Sequence, residues 1–181
     1  MKRIILLISL ILTVILTASC TGNVNSDSSE KKETTAASAS SSKITSTISS
    51  EKLNVTVPDG WNKVEGSVLE HQYMKNTTSF MVKKESFYKN TLDEVVTEAK
   101  SIFQKSFSDY KDISTDNIKV AGKEAKKIVF TCNVGSLSMK YMYVYLFIGS
   151  DTYAITFGDQ ASSFDILSAD YDTILNSMTI K

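Results

Sequence analysis

The segment Leu137 to Ile148, LSMKYMYVYLFI, limits the fold more than any other part of the chain. Side chains of a strand alternate between its two faces. One face here carries Met139, Tyr141, Tyr143, Tyr145 and Phe147, and the other carries Met142, Val144, Leu146 and Ile148. Neither face can be left in water. Such a strand belongs inside a sheet, with one packed layer above it and another below. Gly149-Ser150 then starts a tight turn, and Tyr153, Ile155 and Phe157 return as the next strand.

Two amphipathic segments can supply those layers. Thr91-x-x-Glu94 is a capping box, in which hydroxyl and carboxylate satisfy the first free N–H groups of a helix. Leu92, Val95, Val96, Ala99, Ile102, Phe103 and Phe107 follow at helical spacing. Phe164, Leu167, Tyr171, Ile174, Leu175 and Met178 mark a second helix entered at Ser162 or Ser163, with a last short strand after it. Leu53, Val55 and Val57 alternate as a half-buried strand that ends at the turn Pro58-Asp59-Gly60-Trp61. Leu69, His71 and Tyr73 share a strand face and pair with Phe80 and Val82 across a hairpin at 75–78. Ile118 and Val120 lead to the Ala121-Gly122 turn. Ile128, Phe130, Cys132 and Val134 alternate beyond it, so Cys132 points into the core. The sum is an α+β domain of six or seven mostly antiparallel strands flanked by two main helices, spanning residues 51–181.

The N-terminal part is of another kind. Met1-Lys2-Arg3 is cationic, and Ile4 to Leu16 is a mostly apolar run of 13 residues. A membrane-spanning helix needs about 20, so the run suits the apolar centre of a signal peptide, residues 1–19. Thr17-Ala18-Ser19-Cys20 resembles a bacterial lipobox, with Thr17 where leucine is usual. The resemblance implies cleavage before Cys20 and a diacylglycerol on its thiol. The chain would then be held to the extracytoplasmic face of the cell membrane. An ordinary secretory signal with a chance cysteine is the alternative, and a buried core helix is disfavoured by the polar stretch that follows. From Cys20 to Ser50 the chain is rich in Ser and Thr with few large apolar side chains. Such a segment cannot bury enough surface to offset the entropy of ordering it, and it reads as a flexible tether or an O-glycosylated stalk.

Composition excludes several functions. Twenty cationic and 20 anionic side chains balance, so nothing draws the chain to nucleic acid. Arg3 is the only arginine, and a mature chain without it lacks the planar fork that grips phosphates bidentately. The lysine bias, with abundant Asn, Ser and Ile, suggests a low-GC Gram-positive source. The two cysteines allow no disulfide framework and no multi-cysteine metal site. A Cys20–Cys132 disulfide is an alternative only if Cys20 carries no lipid. No Gly-rich phosphate loop, zinc motif or calcium loop is present, and no cofactor is implied.

The order of elements carries a resemblance. LNVTVPDGW, a long helix after the first strands, IKVAGKEAKKIVF, YAITF and FDILSADYDTILNSM are similar, in that order, to PsbP-like and DcrB-like domains from about Leu53 to Met178. The resemblance implies an antiparallel sheet flanked by helices. The family includes extrinsic proteins of photosynthetic membranes and bacterial lipoproteins, and it supplies no shared catalytic residues. Function does not follow from such a fold.

The candidate site residues are few. Tyr141, Tyr143 and Tyr145 could present an aromatic stripe to a ligand or partner, or pack beneath a helix. Trp61 is either a ligand anchor or a lid over the core edge. His71, the single histidine, would need a carboxylate or hydroxyl beside it to act as a base. Three functions follow from these readings. The first is a non-catalytic, lipid-anchored module that binds an envelope protein or small ligand, which predicts an exposed apolar or aromatic patch away from the tether. The second is an envelope hydrolase built around His71. The third is a passive surface spacer or antigen.

Overall fold

A computed structural model of the protein describes residues 52–86 and 89–181. The signal segment, Cys20 and the Ser/Thr-rich stretch lie outside the described residues. The elements run β1 (Leu53–Asn54), β2 (Asn62–Lys63), β3 (Gln72–Lys75), β4 (Thr78–Glu85), α1 (Leu92–Ser106), β5 (Ser108–Val120), β6 (Lys123–Val134), β7 (Leu137–Ile148), β8 (Asp151–Gln160), α2 (Ser168–Ser177) and β9 (Thr179–Ile180). A 3-10 turn, Phe164–Leu167, leads into α2. Seven strands form one antiparallel sheet in the order β2-β3-β4-β8-β7-β6-β5, and β1 pairs with β9 in a separate two-stranded ribbon.

The doubly apolar strand lies where its pattern requires. β7 sits between β6 and β8. On one face Tyr141, Tyr143 and Tyr145 pack with Phe130 beneath Val95, Ala99 and Phe103 of α1. On the other face Met142, Val144, Leu146 and Ile148 pack with Phe157 against Tyr171, Ile174 and Leu175 of α2. The capping box that starts α1 is formed in both directions: the Glu94 N–H donates to Thr91 Oγ1 at 3.2 Å, and the Thr91 N–H donates to Glu94 Oε2 at 3.3 Å. Gly158 pairs across strands with Tyr141. A Cβ at position 158 would lie 2.5 Å from Tyr141 Cε1, so only glycine lets the phenol ring lie across β8 at this register.

Four elements differ from their sequence pattern. The strand expected over 53–57 is regular only at Leu53–Asn54. Beyond it the Thr56 N–H turns to donate to Ser177 Oγ at 3.0 Å, and Pro58 has no N–H to give. Val55 and Val57 still pack on the α2-side core. His71 sits in the bend before β3 rather than within a strand, because its ring turns inward to β1. β5 is 13 residues long, although only Ile118 and Val120 signal it. It is an edge strand with two register breaks, after Ser108 and after Asp112, and solvent-facing polar side chains hide its alternation. Finally, the second helix begins as a 3-10 turn with no side-chain cap, and α2 proper starts at Ser168.

Candidate functional site

The tyrosine stripe is built by β7 and roofed by α1. Tyr141, Tyr143 and Tyr145 are buried, the last only 1% exposed. Phe103 of α1 lies 4.8 Å from the Tyr143 ring and 4.7 Å from Phe130, centroid to centroid. The Tyr143 hydroxyl is hydrogen-bonded to the Thr156 side chain. Burial pushes the Tyr141 phenol up to about 12 and raises Tyr143 and Tyr145 as well. These are neutral phenols in a packed layer, with no face turned to a ligand. Burial also pushes the neighbouring Cys132 thiol up to about 11, so it is held as an inert thiol.

Trp61 closes the other layer. It is buried, edge-on to Phe80 at 6.2 Å. Its indole N–H donates to Asp170 Oδ2 of α2 at 2.8 Å. Lys75 donates to the same oxygen at 2.8 Å and to the Asp59 carbonyl at 3.1 Å. Lys75 and the indole together hold the Asp170 carboxyl below the usual carboxylate range. Trp61 is thus a lid pinned to α2, as the turn around Pro58 and Gly60 allowed.

His71 is 7% exposed. Its Nε2 meets the Leu53 carbonyl at 2.9 Å. A carbonyl only accepts, so Nε2 carries the proton, and Nδ1 is buried with no hydrogen-bond partner among the described residues. Glu70 lies 3.8 Å from Nε2, the nitrogen already engaged, and is itself bonded to Lys181 at 2.8 Å. A base in a Ser-His-Asp arrangement needs the reverse: a carboxylate on one nitrogen and a hydroxyl on the other. Here the ring fastens β1 to the domain. Among the described residues no three His, Cys, Asp or Glu side chains are grouped as metal ligands.

The large apolar side chains exposed among the described residues are Ile113, Ile166 and Ile180, on three separate elements. The aromatic patch expected away from the tether is therefore not found on the described surface, because the rings that would form it pack inward. Instead there is an open depression of about 390 Å³ beside the ribbon. Lys119 of β5 and Ala121 and Gly122 of the β5–β6 turn line one side, and Leu175, Asn176, Met178, Thr179 and Ile180 the other. Ala121 and Gly122 both have positive φ, at 51° and 73°, which is the backbone of a tight two-residue hairpin. Both the turn and the end of α2 are legible in the sequence. Their meeting across more than 50 residues is not.

No protein-family model matches the sequence. No curated protein matches it either. Solved structures do resemble it. LpqN, involved in cell envelope biogenesis of Mycobacterium tuberculosis, aligns at 12% identity over 71% of this chain and 83% of that one, with a TM-score of 0.58. PA94 of Pseudomonas aeruginosa, of unknown function, aligns at 10% identity over 67% and 77%, with a TM-score of 0.50. PsbP (CyanoP) of Synechocystis aligns at 12% identity over 72% and 93%, with a TM-score of 0.49. At such identities the likeness is one of fold. The α+β fold of this chain, an antiparallel sheet flanked by two helices, is shared with LpqN.

Proposed function

We propose that the protein is a lipid-anchored, extracytoplasmic accessory module of the PsbP-like and DcrB-like kind, which binds an envelope protein or small ligand without chemistry. The observation that carries the non-catalytic part is the state of His71. Its Nε2 is spent on a backbone carbonyl, and its Nδ1 has no hydrogen-bond partner among the described residues. The hydrolase alternative needed that ring free. The phenols of β7 and the Cys132 thiol are held neutral under α1, which keeps these groups from contact with a substrate. The envelope location is supported by the cationic start, the short apolar run and the small residues that end at Cys20. The fold shared with LpqN, an envelope-biogenesis protein, agrees with it.

The anchor is tested by growing cells with a labelled fatty acid and fractionating them. The native protein should carry label and sediment with membranes, and Cys20→Ala should lose both properties. Equal labelling of the two, or a native protein that stays unlabelled, would remove the anchor from the proposal.

A further inference from the structure

The ribbon has an outward edge. Leu53 lies opposite Ile180, and the Lys181 N–H donates to the Lys52 carbonyl at 2.9 Å. In an antiparallel pair, bonded and non-bonded positions alternate. Residues 181 and 179 therefore bond to β1, while the N–H and C=O of Ile180 point away from it. Such an edge is a template for an added strand. The long edge strand β5 is blunted by two register breaks and by the charges of Asp112 and Asp116. β9, Thr179–Ile180, carries neither a break nor a charge. Ile180 is also exposed and lines the depression.

The lining says what fits there. Ala121, Leu175, Met178 and Ile180 supply apolar surface, and Lys119 is the one charged residue among those that line the depression. Lys119 pairs with Glu124 at 3.4 Å, but both side chains are 72% exposed. Water screens such a pair, and a second carboxylate can take the place of Glu124. The depression is open, whereas a small-molecule pocket encloses most of its ligand. A segment laid across it is the better match. A second copy is a poor one. Pairing β9 with β9 about a two-fold axis exchanges only the two hydrogen bonds of Ile180, and β9 offers no carboxylate to the other copy's Lys119. A stable interface buries at least about 1,200 Å², well beyond a two-residue edge.

We infer that the depression docks an extended segment of a partner protein in which apolar and acidic residues alternate. The segment adds as a strand to the outward edge of β9 and bonds to the Ile180 N–H and C=O. Side chains of a strand alternate between its faces, so its apolar residues cover Ala121, Leu175 and Ile180 while its carboxylates reach the rim at Lys119. The backbone bonds supply affinity, and the apolar floor and the lysine supply selectivity. This inference deepens the binding role proposed above and rests on it.

NMR of the full chain in detergent tests it, with acetyl-Val-Glu-Val-Glu-Val-amide and its lysine analogue acetyl-Val-Lys-Val-Lys-Val-amide as probes. At about 1 mM the acidic peptide should slow exchange of the Ile180 amide at least about tenfold and shift the amides of 119–122 and 175–178. The lysine peptide should do neither. Lys119→Glu should reverse that preference. Ile180→Pro deletes the outward N–H while the neighbouring residues keep their bonds to β1, a position where proline is tolerated. It should abolish the shifts at 119–122, with exchange along β7 unchanged as the measure of an intact fold. Equal effects of the two peptides, no effect of the acidic one, or shifts at 119–122 that survive Ile180→Pro would each overturn the docking site. Protection of the Ile180 amide without peptide that fades on dilution would assign the edge to a second copy and overturn it as well. In cells, an envelope partner crosslinked equally to native protein and to Ile180→Pro would remove this site and leave the accessory role standing.

Discussion

The two faces of the sheet are held in different ways. The α1 face is closed by one 15-residue helix with its own capping box, lying on an aromatic layer from β6 and β7. The α2 face is closed by a 10-residue helix without a side-chain cap, and ties from distant parts of the chain make up for it. Trp61 and Lys75 bind Asp170, the Thr56 N–H binds Ser177, and the Lys181 N–H binds Lys52. α1 is tied as well, by Lys126 to Asp93 at 2.7 Å and by Lys100 to Thr115 at 2.6 Å, but from the strands β5 and β6 that follow it. A helix that depends on remote ties is the natural place for a fold to open, and the depression and the ribbon both lie at its C-terminal end.

That contrast can be broken from either side. The largest effect should come from the aromatic layer. Phe130 is fully buried and packs against Phe103, Tyr110 and Tyr143. Phe130→Ala should cost about 3–5 kcal/mol in denaturant unfolding; a loss under about 1 kcal/mol would mean the layer is loosely packed. Next is Gly158→Ala, which forces the Tyr141 ring to move and should cost about 1–3 kcal/mol. Tyr141→Leu should absorb most of that cost, and a double-mutant cycle measures the coupling. Additive losses would show that the ring does not lie on Gly158.

On the α2 face, Asp170→Ala strands the Trp61 indole and Lys75 at once and should cost about 1–2 kcal/mol. The pH dependence has a definite sign. The folded Asp170 carboxyl titrates below its unfolded range. Its stabilisation is therefore complete above about pH 4 and is lost as pH falls through the lower folded value. The stability gap between native protein and Asp170→Asn should close in acid; a gap that widens there would contradict the tie. The smallest effect is local. Thr91→Ala should cost about 1 kcal/mol and loosen only the first turn of α1, seen as faster amide exchange at 92–95.

The same contrast explains what could be read from the sequence. α1, β7 and the turn at Gly149 are written in short-range patterns: a capping box, alternation on two faces, a glycine where the chain reverses. β5 was invisible over most of its length. An edge strand bonds on one side only, its outer side chains face water, and the irregularities around Asp109 and Ile113 break the period of two. The ribbon was half legible. Its last strand could be foreseen, but its pairing with Leu53–Asn54 depends on a contact across the whole domain. The tyrosines of β7 were visible as a stripe, yet a stripe looks the same in sequence whether a ligand or a helix covers it. His71 keeps its place opposite Val82, whose N–H donates to the His71 carbonyl at 2.9 Å, but its ring is engaged by a backbone carbonyl 18 residues away, which no local pattern signals.

The most direct test of an anchored, non-catalytic accessory role is crosslinking in intact cells with the native protein and Cys20→Ala side by side. The expected result is an envelope protein crosslinked to the native chain and absent from the Cys20→Ala sample, with the same adduct retained in His71→Gln. Recovery of no partner, or of the same partners from both Cys20 forms, would contradict the role.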